Sequence, residues 1–331
     1  QRFIKDFYQN NEEHIEIFRD VNTDYPELQK LNDLVKFADF SKENTYAYFR
    51  EKIDMHSFID YIILSAFFHR NNQTLPEQAW RDTILQSKLK YVLPVKSISL
   101  SAHENKPENP FVFFAGQMGN EDKRFSYALF DKLMENQTFR QDFSSRFFAH
   151  MELIYHPDRI KRLTDSIHSR FVFDSLEIAG SEKFLSSDKS QSALDSLSQW
   201  LLSRKDTLIS DYREFISSND SLHVRFVLND TLPGEICLEE ILLRDTITEI
   251  IVPGNTPLSL EAQPKNGFQF NHWTGIQHED SINPSLKFAF TENTTVSPVF
   301  VRPPEVIIHE IHYNATQGKR YDFLELYNPQ R

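Results

Sequence analysis

Over positions 25–215, apolar residues recur at intervals of three and four, the spacing at which side chains share one face of an α-helix. A stripe of this kind runs through 58–67, and further helices are predicted over 127–151, 156–171 and 190–216. Another stripe comprises Leu28, Leu31, Leu34, Val35 and Ala38. The pattern therefore predicts a mainly helical region with several core-facing stripes.

Positions 73–120 interrupt this helical pattern. Proline disrupts both helices and sheets, and the stretch contains Pro76, Pro94, Pro107 and Pro110. Within it, positions 90–100 are predicted to form one or two strands.

After position 218 the apolar period changes from helical to alternating, as in strands that bury one face. The predicted strands cover 222–228, 235–242, 247–252, 258–262 and 268–273. Short strands bounded by turns predict a small β-sandwich that ends near Phe300. A stiff Pro-Pro linker follows Arg302, and 306–311 and 323–327 begin another β element.

These changes of pattern predict a multi-domain α+β protein. We expect a helical domain over 1–218, a small all-β sandwich over 219–302 and the start of a truncated β domain over 303–331.

Composition narrows the function classes. With 331 residues, 40% of them hydrophobic and 29 of them Phe, the chain can build at least two cores. A formal net charge of −12 provides no basic surface for phosphates, which argues against nucleic-acid binding. The single cysteine, Cys237, excludes an internal disulfide and a cysteine metal cluster. The longest apolar stretch, 58–68, is interrupted by Asp60 and is much shorter than the ~20 residues of a membrane-spanning helix.

Two helical runs resemble the spore-coat protein H (CotH) kinase-like family. They are KIDMHSFIDYIIL at 52–64 and LMENQTFRQDF at 133–143. Their order and spacing are similar to the helical lobe of that family over about 25–215. The resemblance implies a kinase-like C-lobe. It also implies that the smaller nucleotide-covering lobe precedes Gln1, or is present only as a short remnant.

Two later segments resemble accessory modules. NGFQFNHWTG at 266–275 resembles a strand of bacterial surface β-repeats, in which the aromatic side chains fill the sandwich. Alternation places Phe268 and Phe270 on one face and Trp273 on the other, unless a β-bulge intervenes. VIIHEIHYN at 306–314, with FLELYN at 323–328, resembles the opening strands of a bacterial lamin-tail-like domain, which is an interaction module in that family.

Phosphoryl transfer needs carboxylates to hold Mg²⁺ against the phosphates and an acceptor for the hydroxyl proton. The resemblance places these groups in an Asn-x-Asp-Trp-Pro-x-Asn-Asn-like loop at 72–79 and in an Asp-x-Asp-like pair at 95–97. Asn72 and Pro76 match the loop. The acid and amide positions are instead occupied by Thr74, Ala79, Val95 and Ser97.

Lys96 adds a positive charge where the metal should be, which disfavours cation binding further. We therefore predict a pseudokinase with no catalytic residues and no cofactor. The alternative is an active kinase that would need ATP and Mg²⁺, with Glu77 or Glu104 as substitute ligands. We also predict no metal site at His309, Glu310 and His312, because a period of two puts His309 on the opposite face of the strand.

The triplet Asp, then Ser or Thr, then Ile or Leu occurs nine times. It resembles an O-glycosylation sequon of one phylum of envelope-bearing bacteria, and the candidate acceptors are Thr83, Ser166, Ser175, Ser196, Thr207, Ser221, Thr231, Thr246 and Ser281. Helix capping is the competing explanation, and we expect it to account for about half of them.

The sequence thus predicts an exported bacterial protein of the cell surface, periplasm or extracellular space. Its expected role is to bind or assemble other envelope or secreted proteins, or glycans. The alternatives are an atypical secretory-pathway kinase that phosphorylates a secreted partner, and a carbohydrate-binding surface protein. The last would require Trp273 or neighbouring aromatic rings on an open face.

Overall fold

The computed structural model describes residues 15–19, 26–68, 78–82, 88–92, 109–116, 124–177, 187–228, 233–277, 279–303, 307–312 and 323–327. About 50% of the described structure is helical and 28% is strand, which confirms a mixed α+β protein. The chain divides into two compact units. The first comprises 1–223 with 250–257 and 289–292, and the second comprises 224–249, 258–288 and 293–331.

Helices dominate the first unit. They are α1 (Pro26–Phe37), α2 (Glu43–Lys52), α3 (Met55–Phe67), α4 (Pro110–Gly116), α5 (Phe125–Leu133), α6 (Gln137–Ala149), α7 (Pro157–Glu177) and α8 (Ser187–Phe215). A π-helix, His150–Ile154, follows α6 directly. The helical prediction for 25–215 is confirmed wherever the structure describes that region, apart from the short strands below.

Side-chain caps fix where two central helices begin. Asp54 accepts a hydrogen bond from the backbone N–H of Ser57 at the start of α3, with a donor–acceptor distance of 3.0 Å. Asn136 accepts one from the N–H of Phe139 at the start of α6, also at 3.0 Å. These bonds satisfy N–H groups that the first turn of a helix leaves without a partner. Asn136 also donates to the carbonyl of Phe40, which ties α6 to the α1–α2 connection.

A three-stranded antiparallel sheet completes the described part of the first unit. Its strands are β1 (Ile15–Arg19), β2 (Gln78–Asp82) and β3 (Lys90–Val92), in that order. β3 confirms a strand within 90–100, whereas β1 was not predicted. The loop assigned to 72–79 is wrong at its end, because Gln78 and Ala79 already belong to β2.

Aromatic rings form the core of the first unit. Phe143 of α6 is fully buried, and its ring centroid lies within 6.4 Å of five other rings. Those rings belong to Phe111, Phe130, Phe139, Phe147 and Tyr212. Helices α4, α5, α6 and α8 therefore meet at a single aromatic cluster.

The later part of the chain contains two four-stranded sheets. One has the order β10 (Ser285–Ala289), β8 (Pro257–Pro264), β5 (Gly234–Leu238) and β6 (Ile241–Leu242). The other has the order β7 (Ile247–Val252), β4 (Leu222–Val227), β11 (Thr294–Val301) and β9 (Gln269–Thr274). The ring of Phe300 on β11 lies so close to Gly234 on β5 that a Cβ there would come within 2.2 Å of it. The two sheets thus lie against each other at this position.

The single strand predicted over 235–242 is wrong. Glu239 and Glu240 form a two-residue turn between β5 and β6, and both have positive φ angles, 49° and 65°. Positive φ at both central residues gives a tight hairpin turn, which usually contains Asn or Gly. Glu239 also accepts a hydrogen bond from the N–H of Ser259 at 2.7 Å, which holds the turn against β8.

A β-bulge in β9 decides where its aromatic side chains point. Phe300 pairs with Phe270 and Val299 with His272, so Asn271 is the extra residue. Because of this bulge, Phe270 and Trp273 lie together, with ring centroids 5.5 Å apart, instead of on opposite faces. Trp273 is 1% exposed and its indole N–H donates to the carbonyl of Asn283.

The strands β12 (Ile307–His312) and β13 (Phe323–Tyr327) form an antiparallel pair. A second bulge at His309 pairs Ile308 with Leu326 and Ile311 with Leu324. Residues directly opposite each other in a pair share a face, so these four aliphatic side chains lie together. Each of them is between 54% and 65% exposed.

Candidate functional site

The structure describes only one of the five predicted pocket positions. Ala79 lies at the centre of the three-stranded sheet, 1% exposed, paired with Phe18 on one side and Tyr91 on the other. Asn72, Thr74, Val95 and Ser97 lie outside the described residues, as do Glu77 and Glu104.

Ala79 serves to pack the sheet. The ring of Tyr91, its neighbour on β3, lies 5.1 Å from the ring of Phe58 and 5.2 Å from that of Tyr61, both on α3. The backbone N–H of Tyr91 also donates to the hydroxyl of Ser57. The sheet is therefore attached to α3 through the same face that carries Ala79.

The buried charged groups of the first unit gather along α3 instead. We call this group the polar seam; its members are Asp60, Arg146, His150, Glu152, Arg204 and Lys205. Four of them are less than 10% exposed, which is unusual for charged or ionisable side chains. Such groups are stable inside a protein only when they are paired or hydrogen-bonded.

Asp60 is the centre of the polar seam. Arg146 of α6 donates two hydrogen bonds to it, from Nε to Oδ1 at 2.5 Å and from Nη2 to Oδ2 at 2.8 Å. His150 lies one turn after Arg146 on the same helical face, and its Nε2 is 3.2 Å from Oδ1 of Asp60. Both carboxylate oxygens of Asp60 are therefore engaged by side chains from the α6–π-helix segment.

The environment of Asp60 shifts the titration of its neighbours. Burial lowers the pKa of His150 to about 4; the charge of Asp60 opposes this effect, and those of Arg146 and Arg159 add to it. Burial and the charge of Asp60 together raise the pKa of Tyr155 above its usual range. His150 is thus a neutral imidazole at neutral pH.

The π-helix holds α3 and α8 together. Its Glu152 accepts a hydrogen bond from Lys205 of α8 at 2.9 Å, with the two side chains only 14% and 11% exposed. The Tyr155 ring, just after the π-helix, stacks on Phe67 of α3 at 4.2 Å. The N–H of Tyr155 donates to the carbonyl of His150, the five-residue step of a π-helix. Such turns are rare and often occur at functional sites.

Arg204 caps the end of α3. Its Nε donates to the carbonyl of Phe67 at 2.9 Å and its Nη2 to that of Ala66 at 2.6 Å. The last carbonyls of a helix have no partner within the helix and carry partial negative charge, so a buried cation stabilises them.

The one acid of α6, Asp142, is half-buried and is also engaged. Asp142 accepts a hydrogen bond from the hydroxyl of Tyr46 at 2.9 Å. Burial and the charge of Asp142 raise the pKa of Tyr46 above its usual range. Within the described parts of the chain, no three His, Cys, Asp or Glu side chains come together as a metal-binding group. What the polar seam does chemically is to fix helix geometry through charge-assisted hydrogen bonds.

The sequence prediction missed the polar seam, although it contained one signal. Asp60 interrupts the apolar stretch 58–68, and an acid within a buried helix face needs a cationic partner. That partner, Arg146, lies 86 positions away in the sequence, and nothing in the local pattern of α6 indicates it.

The candidate glycosylation positions divide by secondary structure. Helices α7 and α8 contain four of them, none at a helix start: Ser166, Ser175, Ser196 and Thr207. Capping therefore does not explain these four. Three others lie outside α-helices, namely exposed Ser221, exposed Thr246 and half-buried Ser281. Thr83 and Thr231 lie outside the described residues.

Of the candidate acceptors that the structure describes, Ser221 and Thr246 are both exposed and outside the helices, where a bulky sugar would meet the fewest neighbours. Within α8, by contrast, the hydroxyls of Ser196 and Thr207 donate to backbone carbonyls one turn earlier, at 2.8 and 2.9 Å. A sugar on either hydroxyl would remove its proton and that hydrogen bond.

The carbohydrate-binding alternative requires an exposed aromatic ring, and its main candidate for that ring was Trp273. Trp273 is buried, so its ring is not available to stack on a sugar. Phe270 packs on both Trp273 and Phe300, with ring centroids 5.5 and 6.2 Å away. Phe270 is half-buried by these contacts, and Phe300 is 8% exposed.

No helix among the described residues has the length and apolar character needed to cross a membrane. No family model matches the chain, and neither does any curated protein or any solved structure. The residues themselves therefore carry the functional argument.

Proposed function

We propose that this chain is an exported bacterial surface or envelope protein whose degenerate CotH kinase-like domain acts as a binding or scaffold component. The observation that carries the proposal is the internal pairing of three half-buried acids in the helical unit. Asp60 is bound by Arg146, Glu152 by Lys205 and Asp142 by Tyr46.

This pairing matters because phosphoryl transfer requires carboxylates that are free to bind Mg²⁺. Arg146 occupies both oxygens of Asp60 in a bidentate geometry, and a metal ion would have to displace a guanidinium from a largely buried position. The positions that the CotH resemblance assigns to metal ligands carry no acids either, since Thr74, Ala79, Val95 and Ser97 occupy them. Both facts support a structural role for the helical unit.

A binding role has separate support in the β12–β13 pair. Its four aliphatic side chains, Ile308, Ile311, Leu324 and Leu326, form a single half-exposed face. A two-stranded hairpin with an apolar face is marginally stable in water by itself, and such faces mark contacts with other protein elements. The envelope location rests on the family resemblance and on the Asp-Ser/Thr-Ile/Leu triplets.

Nucleotide binding tests the proposal directly. The chain is titrated with ATP in the presence of Mg²⁺ or Mn²⁺, by calorimetry and thermal shift, alongside a V95D/S97D variant that restores the acids of the family pattern. We expect no binding by the natural chain, and a gain in the restored variant would support a degenerate pocket. Micromolar binding by the natural chain that disappears with EDTA would instead overturn the pseudokinase prediction and favour the alternative, an active secretory-pathway kinase.

A further inference from the structure

Around the π-helix, the polar seam places a histidine, His150, among side chains that are already charged at neutral pH. His150 faces Asp60 of α3, Arg146 of α6 and Arg159 of α7. From α8, Lys205 approaches the same π-helix but is already neutralised by Glu152. Within this cluster, Arg146 and Asp60 cancel each other, and His150 is uncharged at neutral pH.

We propose that the π-helix His150–Ile154 is an acid-released latch, in which protonation of His150 places a second cation beside Arg146 and frees the α6–π-helix segment from α3. The proposal goes beyond the scaffold function and does not depend on it. It assigns a conformational switch to a cluster that would otherwise only hold the helices in place.

Charge balance gives the direction of the switch. A protonated His150 would add a positive charge to a cluster that already sets Arg146 and Arg159 against Asp60, at a site where His150 is 7% exposed. Asp60 attracts that charge, but Arg146 and Arg159 repel it and burial disfavours it most strongly. Opening the segment exposes the imidazole to water and relieves both effects. Acid therefore favours the open form.

The connections of the π-helix determine which parts of the molecule would respond. His150 reaches Asp60 in the middle of α3, and the Tyr155 ring stacks on Phe67 at its end. The latch thus spans two turns of α3. Single-turn π-helices are rare and frequently occur at functional sites, so we expect the α6–α7 connection to open at this segment.

The size of the effect follows from proton linkage. The pKa of His150 is about 4 in the closed form and 6.5 when the imidazole is exposed to water. Between about pH 7.5 and about pH 5, the ratio of open to closed forms should rise by about 30-fold.

Hydrogen exchange measured by mass spectrometry tests the latch. Exchange of the whole chain is followed at about pH 7.5 and about pH 5, with rates corrected for the intrinsic effect of pH on amides. We expect the acid-dependent gain to be concentrated in peptides from 58–67 and 146–155, and to be absent from peptides of β4 and β8. The H150Q variant, which is neutral at both pH values, should lose the gain. The matched control H223Q changes an exposed histidine on β4 and should keep it.

Two outcomes of the hydrogen-exchange experiment would overturn the proposal. One is an acid-dependent gain that persists in H150Q, and the other is a gain spread evenly over both units. If H150Q does not fold, deuterium exchange at the imidazole C2–H of each histidine in the natural chain replaces it. A titration midpoint for His150 well below 6.5 supports the latch, and a midpoint at or above 6.5 excludes it.

Discussion

The two units place their charged side chains differently. In the helical unit, Arg146, His150, Arg204 and Lys205 are all less than 10% exposed. In the second unit, Glu239 is the one charged side chain below that level among the described residues. Helices satisfy their own backbone except at the ends, so their packing can depend on long polar side chains that reach between elements. Sheet strands satisfy one another through the ladder and leave little need for buried charges.

The two units also differ in the kind of apolar side chain that fills their cores. Phe143 and the five rings around it fill the centre of the helical unit, where four helices converge. The sheets are packed mainly by aliphatic side chains such as Val224, Ile236 and Leu260, each at most 2% exposed. Aromatic pairs add geometry to burial, because rings prefer edge-to-face and offset contacts. We therefore expect the loss of a core ring to lower the stability of the helical unit more than a local change of backbone lowers that of the sheets.

The largest effect should come from removing the central ring of the helical unit. Phe143→Ala leaves a cavity bordered by five other rings, and we expect it to lower the free energy of unfolding by about 4 kcal/mol. Urea denaturation followed by far-ultraviolet circular dichroism measures this loss. Phe37→Ala is the matched control, because Phe37 is 86% exposed and the same substitution there should have almost no effect. Equal losses in the two variants would contradict the aromatic core.

The second largest effect concerns the buried ion pair. Arg146→Met leaves Asp60 without its cation, and we expect a loss of about 3 kcal/mol of stability. The D60N/R146M double variant should recover part of this loss, because no unpaired charge remains. Lys42→Met breaks the exposed Lys42–Asp39 pair as a control and should cause no measurable change.

A double-mutant cycle in urea denaturation provides the measurement for this pair. If the effects of D60N and R146M simply add, the two residues do not interact and their pair has no role in stability. Such a result would also remove the geometric basis of the acid-released latch.

How much the sequence predicted also differs between the units. The alternation after position 218 locates most of the strands, because a strand with one buried face must alternate. It cannot find the bulge at Asn271, which depends on how β9 pairs with β11. It also misses the Glu239–Glu240 turn, because these residues are atypical for a turn with two positive φ angles.

In the helical unit, the existence of the helices is clear from the sequence but their mutual contacts are not. The period of the apolar residues predicts α3, and Asp60 within it signals a buried partner. The identity of that partner depends on the packing of α6 against α3, which links positions 86 apart. For the candidate site, the sequence indicated the positions that lack acids, while the polar seam required three-dimensional structure.

The smallest expected effect concerns backbone conformation in the second unit, at two of its glycines. Gly275 and Gly267 both have positive φ, 81° and 87°. A Cβ at Gly275 would lie 1.9 Å from the carbonyl oxygen of Thr295, whereas one at Gly267 would meet nothing within 4 Å. Both alanine variants bear the conformational cost of a left-handed residue, but only Gly275→Ala also pushes β9 away from β11.

We expect the free energy of unfolding to fall by about 2 kcal/mol or more for Gly275→Ala and by about 1 kcal/mol for Gly267→Ala. Tryptophan fluorescence, to which Trp273 contributes from its buried position two residues before Gly275, follows this transition in urea. Equal losses would mean that backbone conformation alone limits the two positions, and that the close approach of β11 to the turn contributes nothing.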